Sequence, residues 1–286
     1  MMTEPSIPAG ARIGHIHLKV GDLDRQIGFY RDFLGFDLLM RFGDQAAFLS
    51  AGGYHHHIGM NTWESKAGDP PPPGTTGLYH FAINYPERRD LAAALKRLYD
   101  HGWQIDGASD HGTHEALYLP DPDGNGLELA ADRPREAWPA GLGYDGGPAP
   151  LDLDALLETV PQEPPPDRVG EGLRVGHMHL HVGDIERGLA FYRDVVGFEE
   201  QANLGSAAFV SAGGYHHHLG FNVWNGHGVG PAPEHSTGLQ RWTVRLPEDD
   251  LAAVRERAEA AGVETEDADG GFLVRDPWQT AVAFTP

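Results

Sequence analysis

A short strand near residue 128 carries a carboxylate in an awkward place. In Asp121-Pro122-Asp123-Gly124-Asn125-Gly126-Leu127-Glu128-Leu129, the Asp-Pro and Asp-Gly-Asn-Gly segments are turn chemistry. Leu127 and Leu129 then share one face of a strand, which leaves Glu128 on the other. A carboxylate between two residues that seek burial is costly unless it is paired or bound to a cation. Partners of the right type are abundant, because 17 histidines cluster in strand-like segments. His15 and His80 sit in Gly14-His15-Ile16-His17-Leu18 and His80-Phe81-Ala82-Ile83. With no cysteine in the chain, disulfides and thiolate metal sites are excluded, and any metal must be held by His, Asp or Glu. Two imidazoles and one carboxylate hold a divalent ion with coordination positions left open, a set that suits non-haem Fe(II) and also zinc or manganese. His15, His80 and Glu128 are such a set if the fold unites them.

The elements that must do so form a duplicated module. Gly14-His15-Ile16-His17-Leu18 returns 162 residues later as Gly176-His177-Met178-His179-Leu180, and Phe29-Tyr30-Arg31-Asp32 returns as Phe191-Tyr192-Arg193-Asp194. Ser50 to His57 returns unchanged as Ser211 to His218. The period exceeds that of solenoid repeats, so a whole module has been copied. Within the first copy, residues 13–20 alternate as a strand with His15, His17 and Lys19 on one face. Asp22 caps a helix carrying Leu23, Ile27, Tyr30 and Leu34 and stopping at Gly35. Segments 36–42, 46–50 and 54–62 read as strands. The order then restarts with a strand at 78–85, a helix at 87–101 and strands at 103–106, 115–119 and 126–131. Each module is therefore two βαβββ halves of an α+β fold, and an approximate two-fold relation between the halves sets the strand of His15 beside that of His80. Residues 10–132 form the first module and 172–286 the second. Residues 133–171, rich in Pro and Gly with one short helix at 151–159, read as a surface linker.

Composition narrows the function. A length of 286 residues and 40% hydrophobic content suit two ordinary globular domains. The net charge of −21 argues against nucleic acid. No apolar run approaches a membrane span and the first residues lack a signal-peptide pattern, so the cytoplasm is the expected location.

The Gly-His-x-His-Leu strand, the helix ending in Phe-Tyr-Arg-Asp-x-Leu-Gly-Phe and the Asp-Pro-Asp-Gly-Asn-x-x-Glu-Leu close resemble the vicinal oxygen chelate superfamily. That group includes glyoxalase I, bleomycin-resistance proteins and extradiol dioxygenases. The Ala-Gly-Gly-Tyr-His-His-His segment at 51–57 and 212–218 is similar to two-module bacterial catechol 2,3-dioxygenases. The resemblance implies βαβββ units curled into cup-shaped mixed sheets with helices outside, and metal ligands at His15, His80 and Glu128. It also implies Fe(II), with Mn(II) or another divalent ion as substitute, acting on a small aromatic diol and O2. A tyrosine that hydrogen-bonds substrate falls on Tyr118. The second-sphere acid–base histidine falls on His56 by motif, whereas strand alternation favours His55 and His57 together with Asn61. Either way a histidine titrating near neutrality suits proton transfer. His17 shares the face of His15, and His111 with His114 lies on a loop that could close the cup. Hence His17, Asn61 and His111 are expected substrate contacts.

The second copy departs from the pattern. His177 persists, but Arg241 replaces His80 and Ala283 replaces Glu128. It is therefore expected to be degenerate, lacking the metal set. Two competing readings are a glyoxalase-type lyase or isomerase and a non-catalytic binding protein of the bleomycin-resistance sort. The partners expected are small molecules, with neither nucleic acid nor membrane, and homo-oligomer formation is left open.

Overall fold

The computed structural model describes residues 6–160 and 168–286. In chain order, β1 (Arg12–Lys19), α1 (Leu23–Gly28), β2 (Asp37–Phe42), β3 (Ala46–Ser50) and β4 (Ile58–Asn61) form the first half. β5 (Gly77–Tyr85), α2 (Arg88–Asp100), β6 (Gly107–Asp110), β7 (His114–Pro120) and β8 (Gly126–Asp132) form the second. After β9 (Ala149–Pro150) and α3 (Leu153–Leu157), the order repeats. The third half is β10 (Arg174–His181), α4 (Ile185–Leu189), β11 (Glu199–Asn203), β12 (Ala207–Ser211) and β13 (Leu219–Asn222). The fourth is β14 (Gly238–Arg245), α5 (Glu248–Ala260), β15 (Glu266–Ala268), β16 (Gly271–Arg275) and β17 (Ala281–Thr285). Four βαβββ halves, as the repeats imply, are thus present. No helix among the described residues is long and apolar enough to cross a membrane.

Three of the halves show one local rule. The first strand lies parallel to the last, and the middle strands run antiparallel outward, as in β10-β13-β12-β11, β5-β8-β7-β6 and β14-β17-β16-β15. A parallel neighbour needs a crossover, which the helix supplies. The helix starts are capped in each copy: Asp22 accepts from Arg25 N at 3.0 Å and Asp184 from Arg187 N at 2.8 Å. Both α1 and α4 then loosen into a π-turn over Phe29–Phe33 and Ala190–Val195. The first helix is therefore shorter than its 3.6-residue periodicity suggests. The loosening sets Tyr30 and Tyr192 fully buried, where their hydroxyls donate to Asp121 (3.0 Å) and Asp276 (2.8 Å). The Asp-Pro turn is thereby tied to the helix in both copies.

The chain packs as two compact units that do not coincide with the two sequence copies. One comprises the residues up to Leu18, Pro70–Tyr79 and His177–Pro286; the other comprises Lys19–Asp69 and His80–Gly176. In the first unit β14 has β1 as its neighbour. Gly14 shows how close the approach is, because a Cβ there would stand 2.9 Å from Arg245 Cγ and 3.3 Å from Thr243 Cγ2. In the second unit Gly176, the first-strand glycine of the other copy, meets Asn84 of β5, at 3.0 Å from its Cβ. The glycine preceding His15 and His177 is thus needed because a neighbouring strand's side chain crosses it. The expectation that β1 pairs with β5 fails: they belong to different sheets. Alternation assigns faces to a strand but does not choose its neighbour, and the duplicated halves offered two choices.

Three local expectations also shift. The strand expected at 54–62 begins only at Ile58, because Ser50 Oγ donates to Tyr54 O (2.6 Å) and Tyr54 N to Ala51 O, folding 51–57 into a turn. The strand expected at 103–106 forms at 107–110, since Trp103 packs on Phe29 and Phe33 instead. The linker is partly docked: β9 pairs with β6, Leu156 of α3 is fully buried, and Arg88 Nη1 donates to Ala155 O at 3.0 Å. Residues 161–167 of that linker lie outside the described residues.

Candidate metal centre

β5, β8 and β7 lie side by side, and their register explains which side chains meet. Ala82 is opposite Glu128 across β5 and β8, and Tyr118 is opposite Glu128 across β7 and β8. Directly opposed residues share a face and alternate residues stay on it. His80, Ala82, His114, Ala116, Tyr118 and Glu128 therefore line one face. Phe81, Ile83, Leu117, Leu127 and Leu129 line the other, each at most 1% exposed. The apolar face fixes the register, since a slip by one residue would exchange the two faces and turn the polar set into the apolar core.

On the polar face, His80 Nε2 lies 3.2 Å from Glu128 Oε2 and His114 Nε2 lies 3.0 Å from Glu128 Oε1. The three residues are 7%, 2% and 2% exposed, in the order His80, His114, Glu128. The donor set fits a divalent ion. Ligand atoms about 2.1 Å from a metal and at right angles to one another stand about 3 Å apart, which matches the His80–Glu128 spacing. Tyr118 is half-buried, with its ring 5.9 Å from that of His80 and its hydroxyl 2.7 Å from His111 Nε2. His111 in turn stacks on His114, 4.5 Å between centroids and 10° between planes.

The expected site residues thus separate. His80, Glu128, Tyr118 and His111 come together in one unit. His15 is on β1 in the other unit, buried, with its ring 5.1 Å from that of His17. His57 is buried and held by main chain: Ala51 N approaches its Nδ1 (3.3 Å), and its Nε2 faces Leu173 O (2.9 Å). Burial lowers its pKa to about 4, so it stays neutral. The same tie recurs at His218, whose Nδ1 accepts from Ala212 N at 3.1 Å. His56 is half-buried against Phe48 and His55. Asn61 is buried, and its Oδ1 accepts from Trp63 N at 3.3 Å.

Two features were under-read. His114 is not on a loop but opens β7, as counting back by twos from Tyr118 would have shown. In the second copy, His177 is joined by His216 and His217, whose ligand atoms all lie within 4.8 Å of one another. The His177 and His217 rings are 4.1 Å apart. That copy is richer in metal-type ligands than the count of one histidine suggested.

Comparison with known proteins agrees with this chemistry. A family model described as the glyoxalase/bleomycin resistance protein/dioxygenase superfamily matches residues 12–129 and 174–284, both copies of the repeat. A catechol-2,3-dioxygenase of Bacillus subtilis (strain 168) is 41% identical over 277 residues, covering 95% of this chain and 96% of that protein. Biphenyl-2,3-diol 1,2-dioxygenase 3 of Rhodococcus globerulus is 31% identical over 123 residues, 42% of this chain and 63% of that one. Among solved structures, glyoxalase I from Zea mays shares the fold, with a TM-score of 0.58 and 18% identity over 96% of this chain and 92% of that one.

Proposed function

The chain belongs to the glyoxalase/bleomycin resistance protein/dioxygenase superfamily, and from that premise we propose that it is an extradiol dioxygenase cleaving a catecholic ring. One O2 is consumed, the C–C bond beside the diol is cut, and both oxygen atoms enter the product. The observation that carries this reading is the buried His80–Glu128 pair with Tyr118 opposite Glu128 in register. Fe(II) is the ion assigned, because two imidazoles and a carboxylate with open positions suit it; Mn(II) shares those preferences. When bound, the ion lowers the pKa of the diol hydroxyls and gives diol and O2 a common docking point.

The third ligand comes from the repeated first-strand motif, which offers His15 and His177. Gly176 packs against Asn84, four residues beyond His80 on β5, whereas Gly14 packs against Arg245, four residues beyond Arg241 on β14. The two histidines therefore differ in the strand that their preceding glycine packs on, and either can be tested as the third ligand. The proton acceptor follows from the same choice. His57 has both ring nitrogens engaged by main chain, which leaves His56 in the first copy and, beside His177, His217 in the second. Tyr118, its hydroxyl oriented by His111, hydrogen-bonds a substrate oxygen.

The test is metal analysis of anaerobically purified protein followed by O2 uptake with a panel of catechols. Stoichiometric iron and O2 consumption are expected. Bound metal with no O2 consumption across the panel would overturn ring cleavage and favour glyoxalase-type chemistry. Metal analysis of His15→Ala and His177→Ala then identifies the third ligand as the one whose loss removes the metal.

A further inference from the structure

The copied strand set β14, β17 and β16 has lost the histidine and the carboxylate from its polar face, but it carries chemistry of another kind. Arg241 and Arg275 both stand opposite Ala281, one on each side of it, and Thr243 and Leu273 both stand opposite Ala283. Directly opposed residues share a face. Two arginines therefore flank one alanine, about 10 Å apart at about 4.8 Å per strand, beside a second row of Thr243, Ala283 and Leu273. The charges are only partly matched. Arg241 Nη2 lies 3.0 Å from Asp269 Oδ2, while Arg275 Nε is 3.9 Å from Glu266 Oε1 and its Nη1 donates to Gln279 O at 3.3 Å.

Two polar atoms on this face have no hydrogen-bond partner among the described residues. They are Arg241 Nε and Thr243 Oγ1, both buried. Thr243 is fully buried, and its methyl carbon is the part that meets β1, where a Cβ at Gly14 would stand 3.3 Å from it. Asp269 faces an end nitrogen of Arg241 and leaves the Nε side of the fork unused. A quarter of the Arg241 side chain is exposed, so a ligand can reach the guanidinium from solvent. Buried donors without acceptors are costly, and a group that brings acceptors offsets that cost. A carboxylate is planar, anionic and accepts only, which suits a guanidinium fork with a hydroxyl nearby. Leu273 and Ala283, 8% and 0% exposed, put apolar surface on the same face, which favours an apolar body on the carboxylate.

We propose that this face of β14, β17 and β16 binds a small carboxylate with an apolar body, held by Arg241 and Thr243 with Arg275 across Ala281. The site lies on strands that carry no proposed metal ligand, and it does not depend on ring-cleavage activity.

The test is calorimetric titration with benzoate, and with benzyl alcohol as the uncharged control, on metal-loaded and chelator-stripped wild type, Arg241→Ala, Arg241→Lys and Thr243→Val. Benzoate is expected to bind 1:1 with the same constant whether or not metal is present, and benzyl alcohol at least about 10-fold more weakly, as loss of a hydrogen bond to a charged group implies. Arg241→Ala is expected to weaken benzoate binding about 10- to 100-fold, with metal content and catechol turnover unchanged. Arg241→Lys keeps the charge without the fork and should recover only part of that loss. Absence of benzoate binding in wild type overturns the proposal, as does an unchanged constant in Arg241→Ala. Binding that disappears with the metal overturns it by placing benzoate at the metal, and equal binding of the two probes overturns recognition of the anion. If Arg241→Ala does not fold, Thr243→Val decides: weaker benzoate binding supports the site and wild-type affinity overturns it.

Discussion

The strand pair β5–β8 and its copy β14–β17 are built on the same ladder and differ on one face. Both are parallel, and in both the last strand follows an Asp-Pro turn tied to a buried tyrosine by the aspartate carboxylate. The faces turned to the core match in kind. Phe81, Leu127 and Leu129 in one correspond to Trp242, Val282 and Phe284 in the other, all at most 1% exposed. The opposite faces do not match: His80, Tyr118 and Glu128 correspond to Arg241, Leu273 and Ala283. Even the place of His114, four residues before Tyr118, has a counterpart in Asp269, whose carboxylate pairs with Arg241 at 3.0 Å. Duplication preserved what folding requires, the apolar face and the anchored turn, while the polar face diverged. The chemistry is therefore separable from the stability of the strand that carries it.

The largest expected effect tests that separability. Glu128→Ala makes β8 resemble β17 at the one position where Ala283 is already accommodated, fully buried. The variant should fold, with a melting temperature near that of wild type, and should bind metal at least about 100-fold more weakly, since losing a ligand exceeds losing its support. Metal analysis and a thermal melt check both halves. Retained stoichiometric metal would take Glu128 out of the site, and an unfolded product would show that the polar face of β8 has a structural duty that β17 lacks.

A smaller effect is expected one strand away. Tyr118→Phe removes the hydroxyl that meets His111 Nε2 at 2.7 Å and leaves the ring in place. Hydrogen bonds to charged groups contribute about 1.5–3 kcal/mol, so kcat should fall about 10- to 100-fold with metal content unchanged. Leu273→Phe, at the corresponding position of β16, should leave kcat unaltered. Equal effects of the two changes would mean the second copy contributes to turnover at this face.

How much of this was legible in the sequence follows the same division. Glu128 could be read because a carboxylate between Leu127 and Leu129 on a short strand has few innocent explanations, and His80 because it repeats the strand position of His15. The four βαβββ halves could be read from period and turns. The neighbour of each first strand could not. Gly14 and Gly176 both precede a His-x-His-Leu motif, and the packing of Arg245 on one and Asn84 on the other distinguishes them. The tract at 54–57 misled for a local reason: Ser50 draws the chain into a turn through a side-chain hydrogen bond, a competition that strand periodicity does not register. His114 was hidden by Gly112, which marks a turn only three residues long before β7 begins.

The tract at 54–57 gives the last and smallest expectation, at a feature both copies keep. His57 is 2% exposed, its Nδ1 and Nε2 facing Ala51 N and Leu173 O, and burial lowers its pKa from about 6.5 to about 4. Below pH 6.5 the unfolded chain takes up a proton at this residue, while the native protein does not until about pH 4. Stability from this residue is therefore fully present above pH 6.5 and is lost as the pH falls through that window, by up to about 3 kcal/mol at 1.36 kcal/mol per unit. His57→Gln cannot titrate, so its urea midpoint should fall less between pH 7 and pH 4.5 than that of wild type. Parallel declines in the two proteins would show that the buried imidazole is not what makes the first copy acid-sensitive. A shallower decline in the variant would instead tie part of that sensitivity to the turn that both copies share.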